Sequence, residues 1–350
     1  MTWHGIYEHD AVVEQFRRAL GRGRMASSFL FAGPAGIGKR TFALKLAQAL
    51  LCGTRPPAAL DPCGQCPACA QVTAGTHPDL ALVARPKDKA FIPLELLIGE
   101  RNHRRREGLC HDLSLKPFMG GRKIAVIDDA DYLNPEGANC LLKTLEEPPP
   151  RSLLILIGTS PAKQLPTIRS RCQLIRFRPL SADTVCRLLV QQNLVQDAAA
   201  GQRLAAHCEG SLQRAMELAD PELWSFRDTL YQRLADPMLD SVRLAKAVLA
   251  FVDEAGKQAA ARRARLRQVV QFAAGFYRQL LRAQSGAAPP ADAEVQNFIE
   301  QAAEQRSGDG ESAALCLDRC LEAIAQIDRN ANQATLIETW LDDLAGAPER

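Results

Sequence analysis

Residues 33–41 read GPAGIGKRT, and this stretch decides the fold. A phosphate-binding loop requires Gly, four residues, Gly, Lys, then Ser or Thr. Gly33, Gly38 and Lys39 meet the pattern, and Arg40 stands where the hydroxyl belongs. Glycines let backbone N–H groups close around phosphate oxygens, and a helix opening near Lys39 adds its positive end. Lys39 reaches the β- and γ-phosphates, whereas the absent hydroxyl would have held Mg²⁺. Thr41 comes one residue late, a rotation of about 100° on a helix. The loop therefore announces a nucleotide fold while arguing against a Mg²⁺ site and hydrolysis.

Outward from the loop, strands and helices alternate. Ser28–Ala32 (SFLFA) is an apolar run feeding into the glycines, and Phe42, Leu46, Ala49 and Leu50 follow at helical spacing. Leu80–Val83, Lys123–Ile127 (KIAVI), residues 153–157 (LLILI) and residues 173–177 are further predicted strands. Asn134 and Pro135 read as N-cap and first helical residue, and Pro148, Pro149 and Pro150 stop that helix. The expectation is an α/β domain, a mostly parallel sheet with helices on both faces. From Pro179 onward the pattern is helical, with a boundary expected near residues 220–221 and a loop at residues 285–290 (SGAAPP).

The chain has 350 residues, 47% of them hydrophobic and 24% charged, with net charge +3. That is ordinary for a globular protein of two or three domains and says little about partners. No apolar run approaches the ~20 residues that span a bilayer, and MTWHGIYEHD lacks the layout of a signal peptide. A cytoplasmic protein without membrane contact is expected. Its eleven cysteines then read as reduced thiols and a metal site rather than disulfides.

Cys63, Cys66 and Cys69 lie in CGQCPAC, with Cys52 upstream. Four thiolates close a tetrahedral Zn²⁺ site of the structural kind, with no open position for water. His77, in THPD, is either a substitute ligand or a turn residue. The other cysteines read as small buried hydrophobes. Strand 123–127 runs into Asp128 and Asp129. In P-loop proteins such a strand delivers an Asp to Mg²⁺ and often a Glu to polarise the attacking water. Asp128 fits the first role, and Asp129 is one methylene short for the second. Solvated carboxylates ending a strand are the other reading. Arg169 and Arg171, in TIRSRC, are ordinary surface arginines or, on a face turned to another subunit, candidates for an arginine finger. Residues 101–106 (RNHRRR) read as a solvated helix face or, less readily, a DNA contact.

GPAGIGK, CGQCPAC, IDDADYLNPEGANCLLKTLEEPP (127–149) and GTSPAKQLPTIRSRC (158–172) together resemble the bacterial clamp-loader subunits of the AAA+ class, in order and spacing over residues 6–220. Residues 330–344 (NANQATLIETWLDDL) look like the last helix of the clamp-loader collar. Within the family the pattern is most similar to the delta-prime group of DNA polymerase III. The motor group, tau/gamma, keeps GKT or GKS and a DE pair, and the delta group lacks both the cysteines and the SRC triplet. The resemblance implies an AAA+ domain over 1–178 carrying a zinc insertion at about 52–77, a helical lid over 179–220 and a helical collar over 221–350. It implies nucleotide-binding positions at Gly33, Gly36, Gly38, Lys39, Thr41 and Asp128, and a first sensor of γ-phosphate at Thr159. Arg171 of SRC matches the finger that enters a neighbour's ATP site, Asp129 a doubtful catalyst, and Cys52, Cys63, Cys66 and Cys69 the zinc ligands. The second-sensor arginine falls at Gln213, with Arg214 one place late. The implied partners are tau/gamma and delta subunits in a hetero-pentameric ring, with the sliding clamp and primer-template DNA reached through the complex. ATP or ADP in the chain's own site stays open. So do two other readings: a tau/gamma-like motor hydrolysing ATP itself, and a metabolic P-loop kinase with a zinc-stabilised lid.

Overall fold

The computed structural model describes residues 2–86, 89–104, 106–119, 121–287, 293–305 and 310–346. Part of the 101–106 basic run (residue 105) and the end of the 285–290 loop lie outside them. Five strands, β1 (Ser28–Ala32), β2 (Leu80–Val83), β3 (Lys123–Ile127), β4 (Ser152–Gly158) and β5 (Gln173–Arg176), form one sheet in the order β2-β3-β4-β1-β5. All its pairs are parallel. Parallel strands need crossovers, which place helices on both faces and make the strands apolar on both. The alternation is visible residue by residue. Phe29, Phe31, Ile124, Val126, Leu153, Ile155 and Ile157 face one core. Leu30, Ala125, Ile127, Leu154 and Leu156 face the other.

Helices α1 (Asp10–Gly21) and α2 (Lys39–Leu51) cover the first face through Val12, Val13, Phe16, Phe42 and Leu46. After α3 (Pro67–Ala74), helices α4 (Leu94–Ile98), α5 (Leu109–Ser114), α6 (Pro135–Glu146) and α7 (Pro166–Arg169) supply the second core with Leu97, Leu109, Leu113, Leu141, Leu145 and Ile168. The start of α6 is as expected: Pro135 is its first residue and the Asn134 side chain accepts from the Gly137 N–H at 2.8 Å. The basic run departs from its expectation. Residues Arg101–His103 form a 3₁₀ turn rather than a helix face, though the described members of the run are solvated as expected.

Chain compactness divides the molecule into two units, Met1–Met216 and Glu217–Arg350. The first also holds α8 (Ala182–Gln191), α9 (Ala198–His207) and most of α10 (Leu212–Glu217). The second holds α11 (Pro221–Ala235), α12 (Ser241–Asp253), α13 (Ala259–Gln284), α14 (Ala293–Gln305), α15 (Glu311–Asp328) and α16 (Gln333–Gly346). Its buried side chains include Leu230, Val248, Phe276, Tyr277, Ile337 and Leu341.

Candidate nucleotide site, cysteine cluster and arginine edge

A parallel sheet collects the carboxyl ends of its strands along one edge, and ligands bind where the strand order reverses. Here β1 lies between β4 and β5 while the chain leaves it for the far edge strand β2. Ala32 pairs with Gly158, so Gly33 and Thr159 begin level with each other. Asp128 follows β3 on the same edge. The loop itself is built at close quarters. A Cβ on Gly33 would lie 2.5 Å from the Phe177 carbonyl oxygen, and one on Gly36 (φ +69°) would meet Gln213 Cβ at 2.4 Å. The Leu212 N–H donates to the Gly36 carbonyl at 3.0 Å, so the start of α10 is fastened to the phosphate loop. Gly38 takes φ +93° and caps α2.

The charges of this site are occupied by the chain's own groups. The Lys39 ammonium is buried and donates to the Gly33 carbonyl at 2.6 Å and to that of Pro34. Burial pulls it down to about 8, against the attraction of Asp128, Asp131 and Asp129. Arg40 Nη1 lies 3.4 Å from Asp128 Oδ2. A guanidinium therefore sits beside the carboxylate that would hold Mg²⁺, and Thr41 is exposed. These residues do not fit a Mg²⁺ site. Asp129 adopts the left-handed conformation (φ 57°), and desolvation together with the Asp128 charge pushes its carboxyl up. The Thr159 N–H (2.8 Å) and O–H both donate to Asp131 Oδ2, and Gln164 Nε2 donates to Asp131 Oδ1 at 2.7 Å. Sequence reasoning passed over Asp131. Its signal was a third acidic residue two places beyond Asp129, in IDDAD.

The four cysteines converge. The Sγ atoms of Cys52, Cys63, Cys66 and Cys69 all lie within 4.8 Å of one another. The Cys52–Cys66 and Cys63–Cys69 separations are 4.0 and 3.9 Å. A tetrahedron with Zn–S of about 2.3 Å has sulfur edges of about 3.8 Å, so the cluster could bind a structural Zn²⁺. Backbone N–H groups of Cys66 and Cys69 donate to the Cys63 and Cys66 sulfurs at 3.3 and 3.4 Å. The Thr54 hydroxyl and nearby N–H groups outweigh burial and bring Cys52 down to about 5. His77 is apart from the cluster. It is buried in its turn, with Nδ1 accepting from the Asp79 N–H at 3.0 Å. Gln48 of α2 ties the module down through the Cys69 carbonyl and Thr73, both at 3.0 Å.

Arg171 lies between α7 and β5, exposed. Its Nη1 donates to Thr167 O at 3.1 Å and Ser170 Oγ at 3.2 Å, and Nη2 lies 2.7 Å from Glu146 Oε1. Arg169 is the last residue of α7.

A family model described as DNA polymerase III, delta subunit, matches residues 8–181. DNA polymerase III subunit delta' of Pseudomonas aeruginosa is 41% identical over 152 residues, 43% of either chain. Subunit delta' of Escherichia coli is 32% identical over 237 residues, 67% of this chain and 66% of that one. The chain belongs to the clamp-loader AAA+ family. Within that family it is delta-prime-like. The tau subunit of E. coli also aligns, at 30% identity over 64% of this chain and 33% of its own length. Each match spans less than two thirds of the relative's own length. A clamp-loader chain is not a metabolic kinase, so that reading falls away. Among the described residues no helix is long and apolar enough to cross a membrane.

Proposed function

We propose that this chain is a delta-prime-type subunit of a bacterial clamp loader, which helps place the sliding clamp on primer-template DNA. It works in a hetero-pentameric ring with tau/gamma and delta subunits and supplies Arg171 to the ATP site of its motor neighbour. The carrying observation is at the chain's own site, where Arg40 stands in place of the Mg²⁺ hydroxyl and lies 3.4 Å from Asp128 Oδ2, while the SRC triplet sets Arg171 at the surface before β5, held by Thr167, Ser170 and Glu146. A guanidinium in that position presents a planar fork to phosphate oxygens, and arginine fingers are worth about 10³–10⁵ in rate. Residues 1–178 form the AAA+ domain with the zinc insertion, 179–220 the lid and 221–350 the collar. The four cysteines hold Zn²⁺ as a structural ion. Gly33, Gly36, Gly38, Lys39, Thr41, Asp128 and Thr159 are the remains of a nucleotide site, in which Asp129 is not a catalyst.

The test is Arg171→Ala in the reconstituted complex. Assembly should be unchanged, and clamp- and DNA-stimulated ATPase should fall at the one site this subunit faces. Arg171→Lys should restore little, because an ammonium is a point charge. Arg169→Ala is the control. Equal loss from Arg169→Ala would mean the other arginine is the finger, and full ATPase with Arg171→Ala would remove the trans role. A tau/gamma-like motor is the second reading, favoured by the tau alignment. It requires ATP turnover by the chain's own site.

A further inference from the structure

We propose that Glu146 is the positioning residue for Arg171, a role that rests on the trans-finger reading. Glu146 closes α6 and comes from LLKTLEEPP, while Arg171 comes from the SRC triplet after α7. The fold brings these two motifs together, and the link is the 2.7 Å contact between Glu146 Oε1 and Arg171 Nη2.

The geometry assigns a purpose to each donor of the guanidinium. Nη1 is engaged by Thr167 O and Ser170 Oγ, both on the arginine's own segment. Nη2 is engaged by Glu146 from a different element. The two hydrogen bonds of Nη1 leave Nε–H and Nη2, the side a forked contact to phosphate oxygens uses, and Glu146 meets Nη2 as an ion pair.

Stability does not explain the pair. The side chains are 34% and 50% exposed, and ion pairs at such sites contribute about 0–1 kcal/mol. Orientation does explain it. An arginine side chain carries about 2 kcal/mol of rotamer freedom, and a finger already placed loses less of it on meeting phosphate. Three prolines follow α6 immediately after Glu147, so the brace stands at a fixed helix end rather than on a pliable loop.

The experiment is steady-state ATPase of the reconstituted complex, stimulated by clamp and primed DNA, with Glu146→Ala, Glu146→Asp and Arg171→Ala and the Glu146→Ala/Arg171→Ala double variant. Glu146→Ala should lower kcat roughly five-fold, the size of one lost exposed ion pair, with KM for ATP and assembly unchanged. Glu146→Asp should recover part of the loss. The double variant should equal Arg171→Ala, since a brace has no effect without its finger. Wild-type or faster turnover with Glu146→Ala, alongside a slow Arg171→Ala complex, overturns the positioning role while leaving the finger standing. Additive losses in the double variant overturn it as well, because Glu146 would then act elsewhere. Unchanged turnover with Arg171→Ala removes the finger reading, and this inference with it.

Discussion

A guanidinium at the P-loop hydroxyl position changes two properties of the site at once. It removes the ligand that Mg²⁺ needs, and it brings its own charge to Asp128. The pair is partly exposed and worth about 0–1 kcal/mol, so its consequence is chemical rather than energetic. Thr159 adds to this, since its N–H and O–H both serve Asp131. The isolated chain is accordingly expected to turn over no ATP, measured as phosphate release with Mg²⁺ present. Turnover abolished by Lys39→Ala would transfer the protein to the motor group. Arg171 illustrates the reach of sequence reasoning at this scale. SRC identified the residue but not the backbone that aims it. Residues Pro166–Arg169 are helical and Ser170 continues in the right-handed region, which turns Arg171 back toward Thr167 and Glu146.

The cysteine module is an element whose core is sulfur. Cys52, Cys66, Cys69 and Ala68 form its buried cluster, with Cys63 packed against it. So small a core leaves little apolar burial to hold it without a metal. Protein purified without added zinc should contain about one equivalent by metal analysis, and Cys66→Ser should raise proteolytic cleavage within residues 52–77 while the sheet persists. Full-strength folding with no metal bound would refute the structural ion. A second element-scale anchor is Asp79, fully buried just before β2. Burial pushes its carboxyl up, but the N–H groups of Met119 and Phe118 and the Lys123 ammonium outweigh burial and hold it below the usual carboxylate range. A carboxyl lowered by folding stabilises above its unfolded value and loses that contribution as pH falls through its folded one. Asp79→Asn should therefore destabilise by about 3 kcal/mol near neutrality, as breaking a buried pair does. The wild-type advantage in chemical denaturation should shrink only in acid, from the normal carboxylate value downward.

For the whole molecule, helices α11 to α16 carry no recognisable chemistry among the described residues and are proposed to hold the ring together. Truncation after Asp220 should leave a folded sheet unit, by circular dichroism and thermal melting, that fails to co-elute with partner subunits. Normal assembly of the truncated chain would overturn the collar. Leu317, Leu321, Ile324 and Ile327 recur at near-helical spacing along α15, but that apolar stripe is only partly the buried one. Ala313, Cys316, Cys320, Ala323 and Ile327 line the core instead, and Leu321 is 52% exposed. Neighbouring i, i+3 and i, i+4 rows on one helix both contain apolar residues here, and periodicity alone does not choose between them. Small residues won the core because α13 packs closely against α15.

The sequence by itself determined what is local. Apolar runs of four to seven residues became β1 to β4, a capping Asn followed by Pro opened α6, and glycines at fixed spacing made the phosphate loop. These follow from backbone conformation and side-chain period, which act over a few residues and are readable there. Cysteine spacing likewise foretold the four-cysteine cluster, because Cys63, Cys66 and Cys69 follow one another at intervals of three residues. Only the tertiary structure decided pairings between distant segments. Arg40 meets Asp128 across 88 residues, Thr159 meets Asp131 across 28, and Glu146 meets Arg171. Such contacts depend on strand order and on which helix end lies beside which strand end. Both are set by global packing of the two cores, for which no short stretch of the chain carries a signal.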